Sequence, residues 1–218
     1  TDRLPEEKAR GITIELGFAA LTLHDGRRAS VIDMPGHERF VGTMIAGAGG
    51  VDVMLLVVAA NEGVMPQTRE HLAIADLVGV RGGVCALTKC DLATPDIREL
   101  AIEELREVLA GTALEGAPIV PVSAHTGEGM EALVAALTAR AVAPRDASGP
   151  PVLPIDRVFV RKGFGVVVTG TLVSGTLREG DRVAFGPFGA DGRLHEARGR
   201  GMQVHGTTVT EARAGNRV

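Results

Sequence analysis

The chain has 218 residues, 45% of them hydrophobic and 23% charged, with a formal net charge of −4. That is globular composition with apolar material for one full core and part of a second, so two domains are expected. No apolar run approaches the roughly 20 residues that span a bilayer, and the first residues are charged rather than signal-like; the cytoplasm is the expected compartment. No sustained basic run is present, so any RNA contact must be a local patch.

In chain order, Ile14 to Leu23 and Ala29 to Met34 are β-rich runs separated by His24-Asp25-Gly26-Arg27-Arg28, which reads as an antiparallel hairpin. Val53 to Ala59 is a continuous apolar run, expected to form a strand buried on both faces. A helix is expected from Pro66 to Gly79, with Pro near its start and Gly at its end. The alternation continues with a strand over Val84 to Thr88, a helix over Pro95 to Leu109, a strand over Ile119 to Val122 and a helix over Gly129 to Val142. Strands alternating with helices imply an α/β fold with a mostly parallel sheet and helices on both faces. Cys85 and Cys90 lack a His or Cys partner at metal spacing and read as packing residues.

From Ala143 to Pro151 the composition turns to Pro, Gly and small polar residues, as in an inter-domain linker. Beyond it, Leu153 to Arg161, Val166 to Val173, Asp181 to Phe185, Gly192 to Gly199 and Met202 to His205 are short β-type runs punctuated by Gly. They suggest a small antiparallel β-barrel. The expected organisation is 1–143 as an α/β domain, 144–151 as a linker and 152–218 as a β-barrel domain.

The chemistry concentrates where strands run into loops. Asp33 closes the Ala29 to Met34 strand and opens Asp33-Met34-Pro35-Gly36-His37. A carboxylate at such a strand end can hold a metal through water, and the Gly36 N–H can donate to a terminal phosphate with no Cβ in the way. Thr13 offers a hydroxyl to Mg²⁺ and a backbone N–H to the same phosphate. His37, directly after the glycine, is placed to orient or polarise an attacking water. In Thr88-Lys89-Cys90-Asp91, the Asp91 carboxylate can accept from the N1 and N2 donors of guanine, which adenine cannot offer. Lys89 would lay its aliphatic stem along the purine. Ser123-Ala124, after the next strand, would close the base pocket through the Ala124 N–H.

Pro5-Glu6-Glu7-Lys8-Ala9-Arg10-Gly11-Ile12-Thr13-Ile14, Asp33-Met34-Pro35-Gly36-His37-Glu38 and Gln67-Thr68-Arg69-Glu70-His71 are similar to segments of translational GTPases of the elongation factor Tu class. Within that class the chain resembles the bacterial selenocysteine-specific branch. The details are Thr1-Asp2-Arg3-Leu4, Leu16-Gly17-Phe18-Ala19, Thr88 where others carry Asn, and Pro154-Ile155-Asp156-Arg157. Gly163 to Thr171 matches the second domain of either branch. The resemblance implies a P-loop GTPase domain followed by a β-barrel, with GTP/GDP and Mg²⁺ as cofactors. It implies a monomer that delivers selenocysteinyl-tRNA to the ribosome at UGA codons, and an mRNA hairpin bound by C-terminal domains beyond these residues.

It also places Asp156, Arg157 and Arg217 at a cargo pocket, where an ionised selenolate calls for positive charge and donors. Successive side chains of a regular strand point to opposite faces, so Asp156 and Arg157 share a pocket only if the strand is bulged or one supports the other. Ordinary ion pairing is the alternative for this trio.

No G-x-x-x-x-G-K-[ST] run occurs in the 218 residues. The phosphate cradle, its Lys and a first strand are therefore expected to be missing through N-terminal truncation. The chain as it stands is expected neither to hydrolyse GTP nor to fold well, since domains have only about 5–15 kcal/mol to lose. A general elongation factor Tu, an initiation factor 2 γ-like GTPase, and a non-catalytic relic serving as a binding module are the alternatives.

Overall fold

The computed structural model describes residues 13–80, 82–141, 145–186 and 192–218. The chain divides into two compact units, Thr1–Ala143 and Pro144–Val218. The Arg10-Gly11-Ile12 segment, and Ala143 and Pro144 at the division, lie outside the described residues.

In the first unit, β1 (Gly17–Thr22) and β2 (Arg28–Asp33) form the expected antiparallel hairpin, in register from Gly17↔Asp33 to Thr22↔Arg28. The turn closes through Leu23 N–H donating to the Arg27 carbonyl at 2.9 Å. This hairpin is hydrogen-bonded as a sheet of its own. A short 3₁₀ turn (Glu38–Phe40) then leads into α1 (Val41–Ala48), a helix the sequence reading did not anticipate. Its run Val-Gly-Thr-Met-Ile-Ala-Gly-Ala mixes Gly with β-branched residues, and Phe40 at its N-cap offers no side-chain acceptor, so the usual start signals are absent.

β3 (Met54–Ala59), β4 (Gly83–Thr88) and β5 (Ile119–Pro121) form a parallel sheet in that order. The register pairs Ala59 with Thr88 and Leu87 with Pro121, which aligns the C-terminal ends of all three strands. The connecting helices are α2 (Pro66–Leu77), α3 (Pro95–Leu109) and α4 (Met130–Arg140). Strand alternation sorts the side chains. Leu56, Val58, Cys85 and Leu87 pack with Leu72 of α2 and with Ala101, Leu105 and Leu109 of α3. Val84, Ala86 and Val122 face the other way, against Leu133, Ala136 and Leu137 of α4. The central strand β4 is thus covered on both sides, as a strand of a parallel sheet requires.

One expectation fails at β3, which is not buried on both faces: Leu55 is 38% exposed and Val57 58%. The α4 cover packs over β4 and the end of β5, and this face of β3 lies beyond it. Both cysteines are fully buried; burial pushes the Cys85 thiol up to about 12, and the Cys90 thiol donates to the Leu87 carbonyl at 3.1 Å. No helix among the described residues is long and apolar enough to cross a membrane.

The helix boundaries follow local chemistry. Thr94 caps α3, its hydroxyl accepting from Ile97 N–H at 3.5 Å ahead of Pro95 in the first turn. Replacing Thr94 with Ala is expected to cost about 0.5–1 kcal/mol, read as a lowered midpoint in urea unfolding; an unchanged midpoint would show that the long hydrogen bond contributes nothing. Gly129 opens α4 with φ 73°, and a Cβ there would stand 2.0 Å from the Pro121 carbonyl oxygen, so only glycine fits.

The second unit is built of short antiparallel pairs. β6 (Ile155–Arg161) pairs with β7 (Gly165–Gly170), β8 (Thr176–Arg178) with β13 (Glu211–Arg213), β9 (Arg182–Phe185) with β10 (His195–Arg198), and β11 (Met202–Val204) with β12 (Thr207–Val209). The last residues return to the strand after β7: Gly170 and Val218 exchange backbone bonds at 3.0 and 2.9 Å, and Leu172 N–H donates to Asn216 O at 2.9 Å. Leu172, Met202, Ala212 and Ala214 are the buried apolar residues among those described in this unit. Residues 145–151 lie against 174–176, with Gly175 N–H donating to the Asp146 carbonyl and the Ser174 hydroxyl to that of Pro150.

Candidate functional site

The aligned ends of β4 and β5 bring the base-reading candidates together. The Thr88 hydroxyl donates to the Val58 carbonyl at 3.2 Å, so this side chain ties β4 to β3 instead of projecting from the loop. Lys89 takes a left-handed conformation, φ 55° and ψ 32°, uncommon for a non-glycine residue. Its ammonium meets Glu62 Oε1 at 2.7 Å. Glu62 sits in the loop after β3, and nothing in its local sequence singled it out.

Asp91 is held from the loop after β5. The Ser123 hydroxyl, donating to the Asp91 carboxyl, is the largest influence holding it below the usual carboxylate range; the His125 and Arg98 charges act the same way, against a partial desolvation. Ser123 is fully buried, and its oxygen accepts from Thr126 N–H at 3.1 Å. Because its carboxyl pKa is lowered, Asp91 keeps its charge from neutral pH down to below the ordinary carboxylate range. His125 Nδ1 stands 4.0 Å from the second Asp91 oxygen, a neighbour the sequence reading missed. Ala124 is exposed beside it. The loop is braced by Ser123 N–H donating to Glu128 O at 2.9 Å and by the Arg98–Glu128 ion pair at 3.0 Å.

The other candidates lie around the end of β2. Asp33 is the last residue of that strand, and Thr13 precedes the hairpin; both are partly buried. His37 caps the 3₁₀ turn, its Nδ1 accepting from Arg39 N–H at 3.2 Å, with its ring exposed and 6.1 Å from that of Phe40. Gly36 is tied to α2, since His71 Nε2 lies 3.0 Å from its carbonyl oxygen. Thr13 and Asp33 offer oxygen donors of the kind Mg²⁺ takes, with one carboxylate complemented by water and phosphate. No group of three or more metal-type side chains occurs among the described residues, and such a site needs none. Concavities of about 460 Å³ beside Arg182 and Arg198, and about 380 Å³ beside Arg106 and Ile119, touch none of these residues.

In the second unit the β6–β7 register slips between Ile155 and Arg157, so Asp156 is the extra residue of a β-bulge. That meets the objection from strand alternation. Arg217 holds Asp156 with both terminal nitrogens, one at 2.9 Å from Oδ1 and the other in close contact with Oδ2. Thr169 donates its hydroxyl to the same carboxylate at 2.8 Å and lies 3.2 Å from the guanidinium. The pair is largely buried, with side chains 5% and 11% exposed. Arg157 is partly buried on the next position. The whole-chain charge hides a division: residues 144–218 carry 11 Lys and Arg against 7 Asp and Glu, or +4, whereas 1–143 carry 12 against 20, or −8.

The sequence profile of the Elongation factor Tu GTP binding domain matches residues 1–142. The chain is 55% identical over 219 residues to the selenocysteine-specific elongation factor of Desulfomicrobium baculatum, covering 99% of this chain and 34% of that protein. The crystal structure of the bacterial selenocysteine-specific elongation factor EF-Sec superposes with a TM-score of 0.87 at 40% identity, over 100% of this chain and 37% of that one. Elongation factor SelB from Methanococcus maripaludis, in complex with the GTP analogue GppNHp, gives 0.85 at 31% identity, over 94% and 45%. The chain spans about a third of the length of the first curated relatives it matches. With the profile running through nearly the whole α/β unit and relatives 55% and 40% identical over 99% and 100% of its length, this chain belongs to the elongation factor Tu GTP-binding domain family.

Proposed function

We propose that the protein containing this chain is a GTPase elongation factor that delivers selenocysteinyl-tRNA to the ribosome. Residues 1–143 form its GTPase unit, 152–218 its cargo unit and 144–151 the joint. The single observation that carries the nucleotide half is Asp91, set in the turn after β4 at the C-terminal edge of a parallel sheet, with its carboxyl held below the usual carboxylate range. Two carboxylate oxygens match the two donors on one edge of guanine, and a base lacking them would leave a charge unpaired. Lys89 lies along the base, with Thr88 fixing the start of the loop and Ala124 N–H meeting the guanine oxygen. Asp33, through water, and Thr13 hold Mg²⁺, which supplies charge neutralisation at the phosphates. Gly36 N–H senses the terminal phosphate, and His37 orients the water.

The cargo half draws support from the bulge at Asp156. Asp156 and Arg217 neutralise each other, so the guanidinium is oriented without adding net charge. Arg157, the next residue of the strand, is the guanidinium assigned to the selenolate, and the +4 balance of residues 144–218 suits an RNA partner. The factor works in the cytoplasm as a monomer, with an mRNA hairpin read outside these residues.

Asp91→Asn in the full-length protein tests the nucleotide half. Loss of GTP affinity by at least about 10²-fold is expected, with a gain for xanthosine triphosphate, whose 2-oxo group accepts from an amide. Unchanged preference for guanine would remove Asp91 from the base pocket. Preference for selenocysteinyl-tRNA over seryl- and cysteinyl-tRNA tests the cargo half. Equal binding of all aminoacyl-tRNAs would favour a general elongation or initiation factor, and no nucleotide binding at all would favour a relic.

A further inference from the structure

His71 has no part in the chemistry described so far, yet it makes a bond that bears on it. It lies on α2, whose position is set by Thr68, Leu72 and Ala75, all buried. The helix start is fixed as well, since Met65 N–H donates to the Thr68 hydroxyl at 3.2 Å and Pro66 occupies the first turn. From this fixed helix the His71 ring reaches a loop 35 residues earlier in the chain, with Nε2 3.0 Å from the Gly36 carbonyl oxygen. A carbonyl oxygen only accepts, so Nε2 carries the proton in this contact.

The fit is close. A Cβ built on Gly36 would stand 3.3 Å from His71 Cε1 and 3.8 Å from Nε2, so a side chain at 36 would press on the imidazole. The Gly36 carbonyl shares a rigid peptide plane with the N–H of His37. Holding that oxygen therefore sets the direction in which His37 leaves the loop. The bonds around His37 itself are local: its Nδ1 accepts from Arg39 N–H, and its carbonyl accepts from Phe40 N–H at 2.8 Å. They shape the turn but do not orient it against the body of the domain, whereas the His71 bond ties it to a helix packed on the parallel sheet.

We propose that His71 is a positioning residue for GTP hydrolysis: by donating to the Gly36 carbonyl it orients the Gly36–His37 peptide, and with it the His37 imidazole. This rests on the hydrolytic role proposed above for His37. The bond is also the means by which a displacement of α2 reaches the loop, because a shift of the helix that breaks it frees the peptide plane to rotate.

The test is ribosome-stimulated single-turnover hydrolysis by the full-length protein at saturating ribosomes, with GDP affinity measured alongside. His71→Ala should slow hydrolysis roughly tenfold, since displacement of a reacting group by about an ångström costs one to two decades, and should leave GDP affinity within about twofold. His71→Gln, whose amide N–H can reach the same carbonyl, should recover most of the rate. His71→Phe keeps the ring without the donor and should remain slow. If the Ala variant does not fold, the Gln and Phe variants still decide. Recovery by Phe and not by Gln would mean that the ring only fills space, and a wild-type rate in the Ala variant would remove His71 from the mechanism. Absence of hydrolysis by the unaltered protein would instead sink the proposed activity, and this inference with it.

Discussion

Replacing His37 with Ala in the full-length protein is expected to slow ribosome-stimulated GTP hydrolysis by about 10²–10⁴-fold, the usual contribution of a positioned proton-transfer or water-orienting group. GTP and GDP affinities should change by no more than about twofold, because His37 neither reads the base nor holds the metal. The separation arises from geometry. Nδ1 of His37 is engaged by Arg39 N–H, so the neutral ring presents an Nε2–H donor on its exposed side. A donor can hold a water or phosphate oxygen in line, but in this tautomer it does not take a proton. His37→Gln, which keeps an N–H donor, should therefore retain more activity than His37→Ala. Equal losses of rate and affinity would contradict the assigned role, since a group that acts on the transition state alone leaves ground-state binding intact.

The second large effect is expected at the bulge of β6. Asp156→Ala or Arg217→Ala removes one partner of a buried ion pair and leaves the other charge uncompensated, at a cost of about 3–5 kcal/mol to the second unit. The urea midpoint of that unit should fall accordingly. The double variant should be destabilised by less than the sum of the singles, because it buries no lone charge. Additive losses would show that the pair is not energetically coupled. Selenocysteinyl-tRNA binding should be lost in all three variants. Arg157→Ala should weaken cargo binding; a variant that binds cargo as well as the unaltered protein would take Arg157 out of the pocket.

Much of the first unit was readable residue by residue. Val84 to Thr88 has strand length and composition, Thr94-Pro95 marks a helix start, and Gly129 punctuates another, so the βαβ order and the fold class followed from periodicity and local breakers. The helix Val41–Ala48 did not, because it is held by packing rather than by caps: a Cβ on Gly47 would meet Leu16 at 2.7 Å, a contact that no local pattern encodes. The apolar run of β3 misled in the other direction. A continuous hydrophobic sequence predicts burial on both faces, whereas Val57 lies beyond the reach of α4. In the second unit β8, β12 and β13, each three residues long, were too short for an alternating pattern to register.

The candidate site divides in the same way. Asp33, Gly36, His37, Asp91 and Ser123 could be named from the sequence because each follows a strand, and strand ends are local features. Their partners come from distant elements, and only the tertiary structure chose them: Glu62 for Lys89, His125 for Asp91, His71 for Gly36 and Thr169 for the Asp156–Arg217 pair. The bulge belongs with these, since strand alternation argued against a shared pocket until one extra residue re-aimed Asp156. By itself the sequence determined which groups stand where β-strands give way to loops, because hydrophobic period and turn chemistry are properties of neighbouring residues. The fold decided which of those groups meet and which carboxylate is matched by a guanidinium, because those depend on contacts between residues far apart in the chain.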